Sequence, residues 1–332
     1  MTFRADAYTE IGTGHVMRCL ALANACRDAD MATRFVGRID DQVLRNRISQ
    51  HGHEFVPAAA ADWLAAIGTE DSWIVLDGYQ FGSHEQHSIR ARGSRLLVVD
   101  DMANLDSYEA DILLNQNFHA KATDYHLACE AKMLMGTQYA MLRQEFDGRR
   151  PAARNTDSHR LLVTLGGSDP HGVSLLVLEA LGHICEMQFD VRLIAGSSNP
   201  HLERLQTAVK QARAQDHIVA VEHYTDDMPG AMAWADMAVI AAGSTTLEVA
   251  YMGLPSLVLT LADNQAPIAV AMDESGVAQS LGWYDRISAA DIAAALQRLA
   301  QDAPCRNSMT ARGQALVDGH GAKRVVQAML EQ

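Results

Sequence analysis

Basic residues are in short supply in this chain. Lys and Arg number 27 against 41 Asp and Glu, a formal net charge of −14 over 332 residues. No Lys/Arg cluster offsets that balance, so nucleic acid is excluded as the expected partner. An anionic ligand would be held by local amides and a few arginines. Cysteine is sparse too. Cys19, Cys26, Cys129, Cys185 and Cys305 form no C-x-x-C pair and are odd in number. That pattern predicts reduced, mostly buried thiols of a cytoplasmic protein. No apolar run reaches 18 residues, so no membrane partner is expected, and the polar, charged start predicts no signal peptide. There is neither a His-Glu-x-x-His motif nor a Cys–His cluster, so neither metal nor other cofactor is expected. His51 and His53, two apart in a polar turn, read as surface residues.

What is present is led by the first stretch. Arg4-Ala5-Asp6, then Glu10-Ile11-Gly12-Thr13-Gly14-His15, then Val16 to Ala23 reads as strand, glycine-rich turn and helix. Gly12 and Gly14 bracket the turn, because Gly accepts φ > 0 without steric cost. Val16, Leu20 and Ala23 recur at helical spacing and predict one buried face. Backbone N–H groups at such a helix N-terminus favour an anion. His15 stands beside them and is the one residue there able to move a proton near neutral pH. A helix-capping or core histidine is the alternative. A dinucleotide fold needs a third glycine where Met17 stands, so NAD is not expected.

Hydrophobic residues make up 48% of the chain, enough for sizeable cores, and its length predicts two domains. Strand-like runs alternate with helical ones from the start. Trp73–Asp77, Arg95–Asp101 and Asp111–Asn117 are apolar runs with polar groups only at their carboxyl ends, as buried parallel strands read. Ligands bind at those ends in open α/β sheets, which makes Asp77, Asp100 and Asn115 to Asn117 candidates. Strand-end acids also cap turns and helices. Periodicity stops in a polar stretch, then restarts at Arg160–Leu165. The domains are therefore set at 1–145 and 160–332, with 146–159 as linker. The fold class is α/β, two Rossmann-like domains facing across a cleft.

In the second block, Gly166-Gly167-Ser168-Asp169 follows a strand and can approach a phosphate closely. Ala242-Gly243-Ser244-Thr245-Thr246-Leu247-Glu248 repeats the physics of the first turn. Ser244 and Thr245 can cap a helix and donate hydroxyls to an anion. Glu248 can accept two hydrogen bonds from a ribose diol. Thr245 and Glu248 also have the spacing of a capping box. Gly253-Leu254-Pro255 leads to another strand, which ends at Asp263-Asn264-Gln265.

These motifs together resemble nucleotide-sugar enzymes of the two-domain GT-B type. Arg4-Ala5-Asp6, Ile11-Gly12-x-Gly14-His15-x-x-Arg18, Asp77-x-Tyr79, Asp111 to Asn115 and Gly166 to Asp169 are similar, within that group, to the PseG family. SpsG-like spore-coat polysaccharide proteins are also similar. The resemblance spans nearly the whole chain. It implies hydrolysis of UDP-2,4-diacetamido-2,4,6-trideoxy-β-L-altropyranose, or a related UDP-2,4-diacetamido-2,4,6-trideoxyhexose, in pseudaminic-acid-type nonulosonate biosynthesis. It implies His15 as the base that activates water and Asp77 and Tyr79 as lining of the sugar pocket. Gly243, Ser244, Thr245 and Glu248 would hold diphosphate and ribose, and Asn264 and Gln265 would contact sugar or phosphates. Arg4, Asp6, Gly12, Gly14, Arg18, Asn115, Gly167 and Ser168 complete the expected substrate-binding set. Gly78 departs from the pattern, in which familiar members often carry His, and leaves the exact sugar open. A UDP leaving group needs no general acid, so the paired carboxylates of ordinary glycosidases are not required. Activity is expected to fall below roughly pH 6–6.5 as a histidine base protonates. A GT-B glycosyltransferase or a non-catalytic nucleotide-sugar binder would share the UDP-binding features.

Overall fold

The computed structural model describes all residues except 9–10, 59–62, 68–71, 153–158, 168, 197–198, 214–215 and 224. The chain divides into two compact units, Met1–Gln144 with Gly319–Gln332, and Glu145–Asp318.

The first unit runs β1 (Thr2–Ala5), α1 (Gly14–Asp28), β2 (Arg34–Gly37), α2 (Gln42–Gln50), β3 (Glu54–Pro57), α3 (Trp63–Ala66), β4 (Trp73–Asp77), α4 (Ser83–Arg90), β5 (Arg95–Val99), β6 (Ile112–Asn115) and β7 (Lys132–Met135). Its strands pair in parallel in the order β3-β2-β1-β4-β5-β6-β7. Ile74, Val75, Leu96, Leu97, Ile112, Leu113 and Leu114 are fully buried. Both faces of the sheet are covered, which is why these strands read as continuous apolar runs. The order reverses between β1 and β4, and ligands of open α/β sheets bind outside the carboxyl ends at such a point.

The second unit runs β8 (Arg160–Thr164), α5 (Val173–Leu181), β9 (Asp190–Ile194), α6 (Leu202–Arg213), β10 (Ile218–Glu222), α7 (Met228–Trp234), β11 (Met237–Ala241), α8 (Thr245–Met252), β12 (Ser256–Thr260), α9 (Ala266–Glu274), β13 (Gln279–Trp283), α10 (Ala289–Gln301) and α11 (Ala303–Leu316). Its parallel order is β10-β9-β8-β11-β12-β13, with the reversal between β8 and β11. Both units are thus parallel-sheet α/β layers of the expected class.

The last helix, α12 (Gly321–Leu330), does not stay with the second domain as the sequence suggests. It packs on α1, with Val325, Val326, Ala328 and Met329 buried in the first unit's core. Each fully buried apolar side chain of that size is worth about 1.5–3 kcal/mol, enough to anchor the helix. A Cβ on Gly321 would lie 2.3 Å from the Ala140 carbonyl oxygen, so only glycine allows that approach. With the sheet on one side and α12 on the other, α1 is buried well beyond the single face expected, Cys19, Leu22 and Cys26 included. The linker expected at 146–159 lies partly outside the described residues. Within it, Phe146 is buried beside Tyr251, and Arg150 Nε donates to the Tyr251 carbonyl (3.0 Å), so this stretch packs on the second unit. Of the thiols, Cys19 and Cys26 are buried, Cys129 and Cys305 are half-buried and Cys185 is exposed.

His53 corrects a second expectation. It is buried rather than a surface residue, with Nε2 donating to the Asn24 side-chain oxygen (2.9 Å) and Nδ1 accepting from the Thr33 hydroxyl. Burial, then the Arg27 and His51 charges, push its pKa down to about 4. The unfolded chain therefore binds a proton that the folded chain refuses, and stability is lost as pH falls from about 6.5 toward 4. By pH 5 the loss is on the order of 1–2 kcal/mol. His53→Gln is expected to flatten the fall in Tm between pH 7 and 5, measured by calorimetry; parallel curves for variant and parent would count against this account.

Candidate active site

In the first unit the carboxyl edge of the sheet gathers a polar cluster. The register that aligns Ala5, Asp77, Val99 and Leu114 sets Asp6, Asp101, Asn115 and Asn117 at the same edge. Gly12 takes φ +78°, and its N–H donates to the Tyr8 carbonyl (2.8 Å), turning the chain into α1. Gly14, expected to share that left-handed role, instead starts the helix.

One turn of α1 delivers His15 and Arg18 to the same carboxylate, three residues apart being neighbours on a helix. His15 Nδ1 lies 2.7 Å from Asp77 Oδ1. Arg18 forks onto Asp77, Nε to Oδ2 and Nη2 to Oδ1, both at 2.7 Å. Its Nη1 donates to both oxygens of Asp101 at 2.9 and 2.8 Å. Cys19 Sγ adds a contact to Asp77 Oδ2 at 3.5 Å. These four donors use the acceptor capacity of one carboxylate. Asp77 is fully buried. Burial works against its charge, but Arg18 first and His15 next outweigh it and hold the carboxyl well below the usual range. A carboxylate only accepts, so the proton of neutral His15 sits on Nδ1, leaving a lone pair on Nε2. Among the described residues Nε2 has no hydrogen-bond partner. Tyr79, half exposed, meets the imidazole edge to face at 4.7 Å, and its hydroxyl donates to Asp101 Oδ2 (3.2 Å).

Other expected residues are occupied within the fold. Arg4 and Asp6 form a buried two-point ion pair, with the guanidinium over Phe81 (4.7 Å) and Trp63 (5.3 Å). Asp6 also accepts from the Arg38 N–H (2.6 Å) and Gln80 Nε2 (2.8 Å). A Cβ at Gly78 would stand 2.6 Å from that Gln80 amide, so the glycine leaves it room. Asn115 donates to the Tyr125 hydroxyl (2.9 Å) and accepts from the Asn117 N–H and amide (both 3.0 Å). Asp100 binds Tyr108, Tyr125 and the loop amides of Met102 and Ala103. It is Asp101, not singled out from the sequence, that joins Arg18, Tyr79 and Asn117, the last at 2.6 Å. The doublet Asp100-Asp101 at a strand end was the available signal.

In the second unit three adjacent strands end in the expected loops. After β8, Gly167 has open space where a Cβ would stand, while Ser168 lies outside the described residues. Asp169 caps α5, accepting from the Val173 and Ser174 N–H groups at 2.8 and 2.9 Å. After β11, Gly243 is likewise open. Ser244 is exposed and precedes α8, which begins at Thr245, without a side-chain cap. Thr245 is half-buried and Glu248 is buried. After β12, Asn264 and Gln265 form a short turn in which Gln265 Oε1 accepts from the Leu261 N–H (3.0 Å).

Residues 161–325 match the glycosyltransferase family 28 C-terminal domain. The spore coat polysaccharide biosynthesis protein SpsG of Bacillus subtilis is 26% identical, over 97% of this chain and 95% of its own. The UDP-2,4-diacetamido-2,4,6-trideoxy-beta-L-altropyranose hydrolase of Campylobacter jejuni is 26% identical, over 82% of this chain and 96% of its own. Among solved structures, MurG of Acinetobacter baumannii superposes with a TM-score of 0.70 at 14% identity, covering 100% of this chain and 99% of its own. HepE of Anabaena, in complex with UDP and glucose, gives 0.65 at 13% identity, covering 100% and 99%. The fold is that of the GT-B glycosyltransferases. Among the described residues no helix is long and apolar enough to cross a membrane.

Proposed function

We propose that this PseG-like member of the GT-B enzymes, which processes a UDP-sugar, hydrolyses a UDP-2,4-diacetamido-2,4,6-trideoxyhexose to the free sugar and UDP in a pseudaminic-acid-type nonulosonate pathway. The observation that carries the proposal is the His15–Asp77 pair, at the reversal point of its sheet, with Nε2 left unpartnered among the described residues. His15 Nε2 takes a proton from water as the oxygen attacks the anomeric carbon. The glycosidic C–O bond to the β-phosphate breaks, UDP leaves as an anion, and configuration inverts without a metal. Tyr79 faces the sugar. Gly167, Ser168, Gly243, Ser244 and Thr245 hold the diphosphate, with the N-terminal amides of α8 favouring its charge. Glu248 takes the ribose, and Asn264 and Gln265 take sugar or phosphate. Arg4, Asp6 and Asn115 support the first loops from inside the fold.

A transferase reading is favoured by the family 28 match and the likeness to MurG. The experiment that separates them supplies UDP-sugars without an acceptor. Equal amounts of UDP and free sugar are expected. UDP release only when an acceptor hydroxyl is added would make the chain a transferase, and UDP affinity without turnover would make it a binder.

A further inference from the structure

Arg18 is buried, yet its Nε, Nη1 and Nη2 are all committed to the two carboxylates, leaving it poorly suited to grip a substrate phosphate. Charged and titratable groups from several elements surround His15 among the described residues. They are Asp77 from β4, Arg18 and Cys19 from α1, Tyr79 from the loop after β4, and Asp101 reached through Arg18. Asp6, beyond β1, is neutralised by Arg4. An imidazole facing a buried carboxylate alone would be drawn to its protonated form, which cannot accept a proton from water. Arg18 opposes that by sharing Asp77 Oδ1 with the ring, its Nη2 lying 3.2 Å from Nδ1. Asp101 in turn offsets part of the guanidinium charge.

We propose that Arg18 is a positioning residue: through Asp77 it fixes His15 with Nδ1 protonated and sets the pH at which Nε2 becomes a base, with Asp101 as its counterweight. The inference rests on His15 being the base of the proposed hydrolysis. It makes the two partners act with opposite signs. Removing the cation in Arg18→Gln favours the imidazolium and moves the acid limb of kcat/KM up by about one pH unit. Removing the anion in Asp101→Asn leaves the cation less screened and moves the limb down by about half a unit. Arg18→Lys keeps the charge but loses the fork, so its limb stays within about 0.3 unit while kcat falls at every pH.

The test measures kcat/KM against pH for the parent and the three variants. In parallel, NMR follows the His15 ring in histidine-labelled protein, assigned by the signal that His15→Asn removes. Opposite displacements for Arg18→Gln and Asp101→Asn in the spectra are the expected result; general structural damage has no reason to produce them. Should Arg18→Gln fail to fold, Asp101→Asn and Arg18→Lys carry the test. An Asp101→Asn ring that titrates at or above the parent overturns the inference. Ring titrations displaced as stated beside an unmoved rate profile would keep the inference and remove His15 as the base.

Discussion

His15→Asn lowers kcat by about 10²–10⁴-fold with KM little changed. Asn keeps the size of the site and a polar group toward Asp77, but it cannot accept a proton from water. The water would then attack without a base, and the rate would fall by the worth of one general base. Because UDP is proposed to bind at the glycine-rich loops after β8 and β11, away from His15 in the sequence, ground-state affinity is not expected to change. The measurement is steady-state UDP release at pH 7.5 with the free sugar quantified. A kcat equal to the parent's would take His15 out of the chemistry.

The second large effect is on stability. Asp77→Asn leaves the Arg18 guanidinium, buried and bonded to both oxygens of Asp77, with one carboxylate instead of two. Breaking a buried pair by removing one partner costs about 3–5 kcal/mol. For a unit of this size the expected fall in Tm is roughly 10 °C. The sign against pH is set by the depressed pKa of Asp77. Its stabilisation is present at neutral pH and is lost only as pH falls through its folded range, well into acid. Parent and variant melting curves should therefore converge in strong acid. A variant melting within 2 °C or so of the parent at pH 7 would mean that the cluster is worth no more than a surface pair.

Much of the architecture was legible because parallel strands buried on both faces are written in an unusually plain script. Ile74 to Leu76, Leu96 to Val99 and Ala238 to Ala241 could hardly be anything else. Edge strands carry no such mark. Lys132–Met135 and Gln279–Trp283 are only half-buried over most of their length, and neither stands out as an apolar run in the sequence. The destination of α12 was hidden for another reason. An apolar helix face states that it must be covered, not by which element, and chain order pointed to the wrong unit. His53 was misplaced because a polar side chain satisfied by Asn24 and Thr33 is indistinguishable in sequence from one satisfied by water. In the candidate site, the loop pattern, the strand end and the family resemblance single out His15 and Asp77, which the structure brings into contact. Asp101 is not distinguishable from Asp100 in the sequence, because which member of a strand-end pair faces the cluster depends on where the strand stops, here at Val99.

Central to the account is attack at carbon by a water that His15 deprotonates. Turnover in ¹⁸O-labelled water, with UDP analysed by mass spectrometry, addresses it most directly. Unlabelled UDP, together with label in the sugar's anomeric hydroxyl when product is sampled before exchange, is the predicted result. Label in the UDP phosphate would show cleavage at phosphorus and contradict the mechanism.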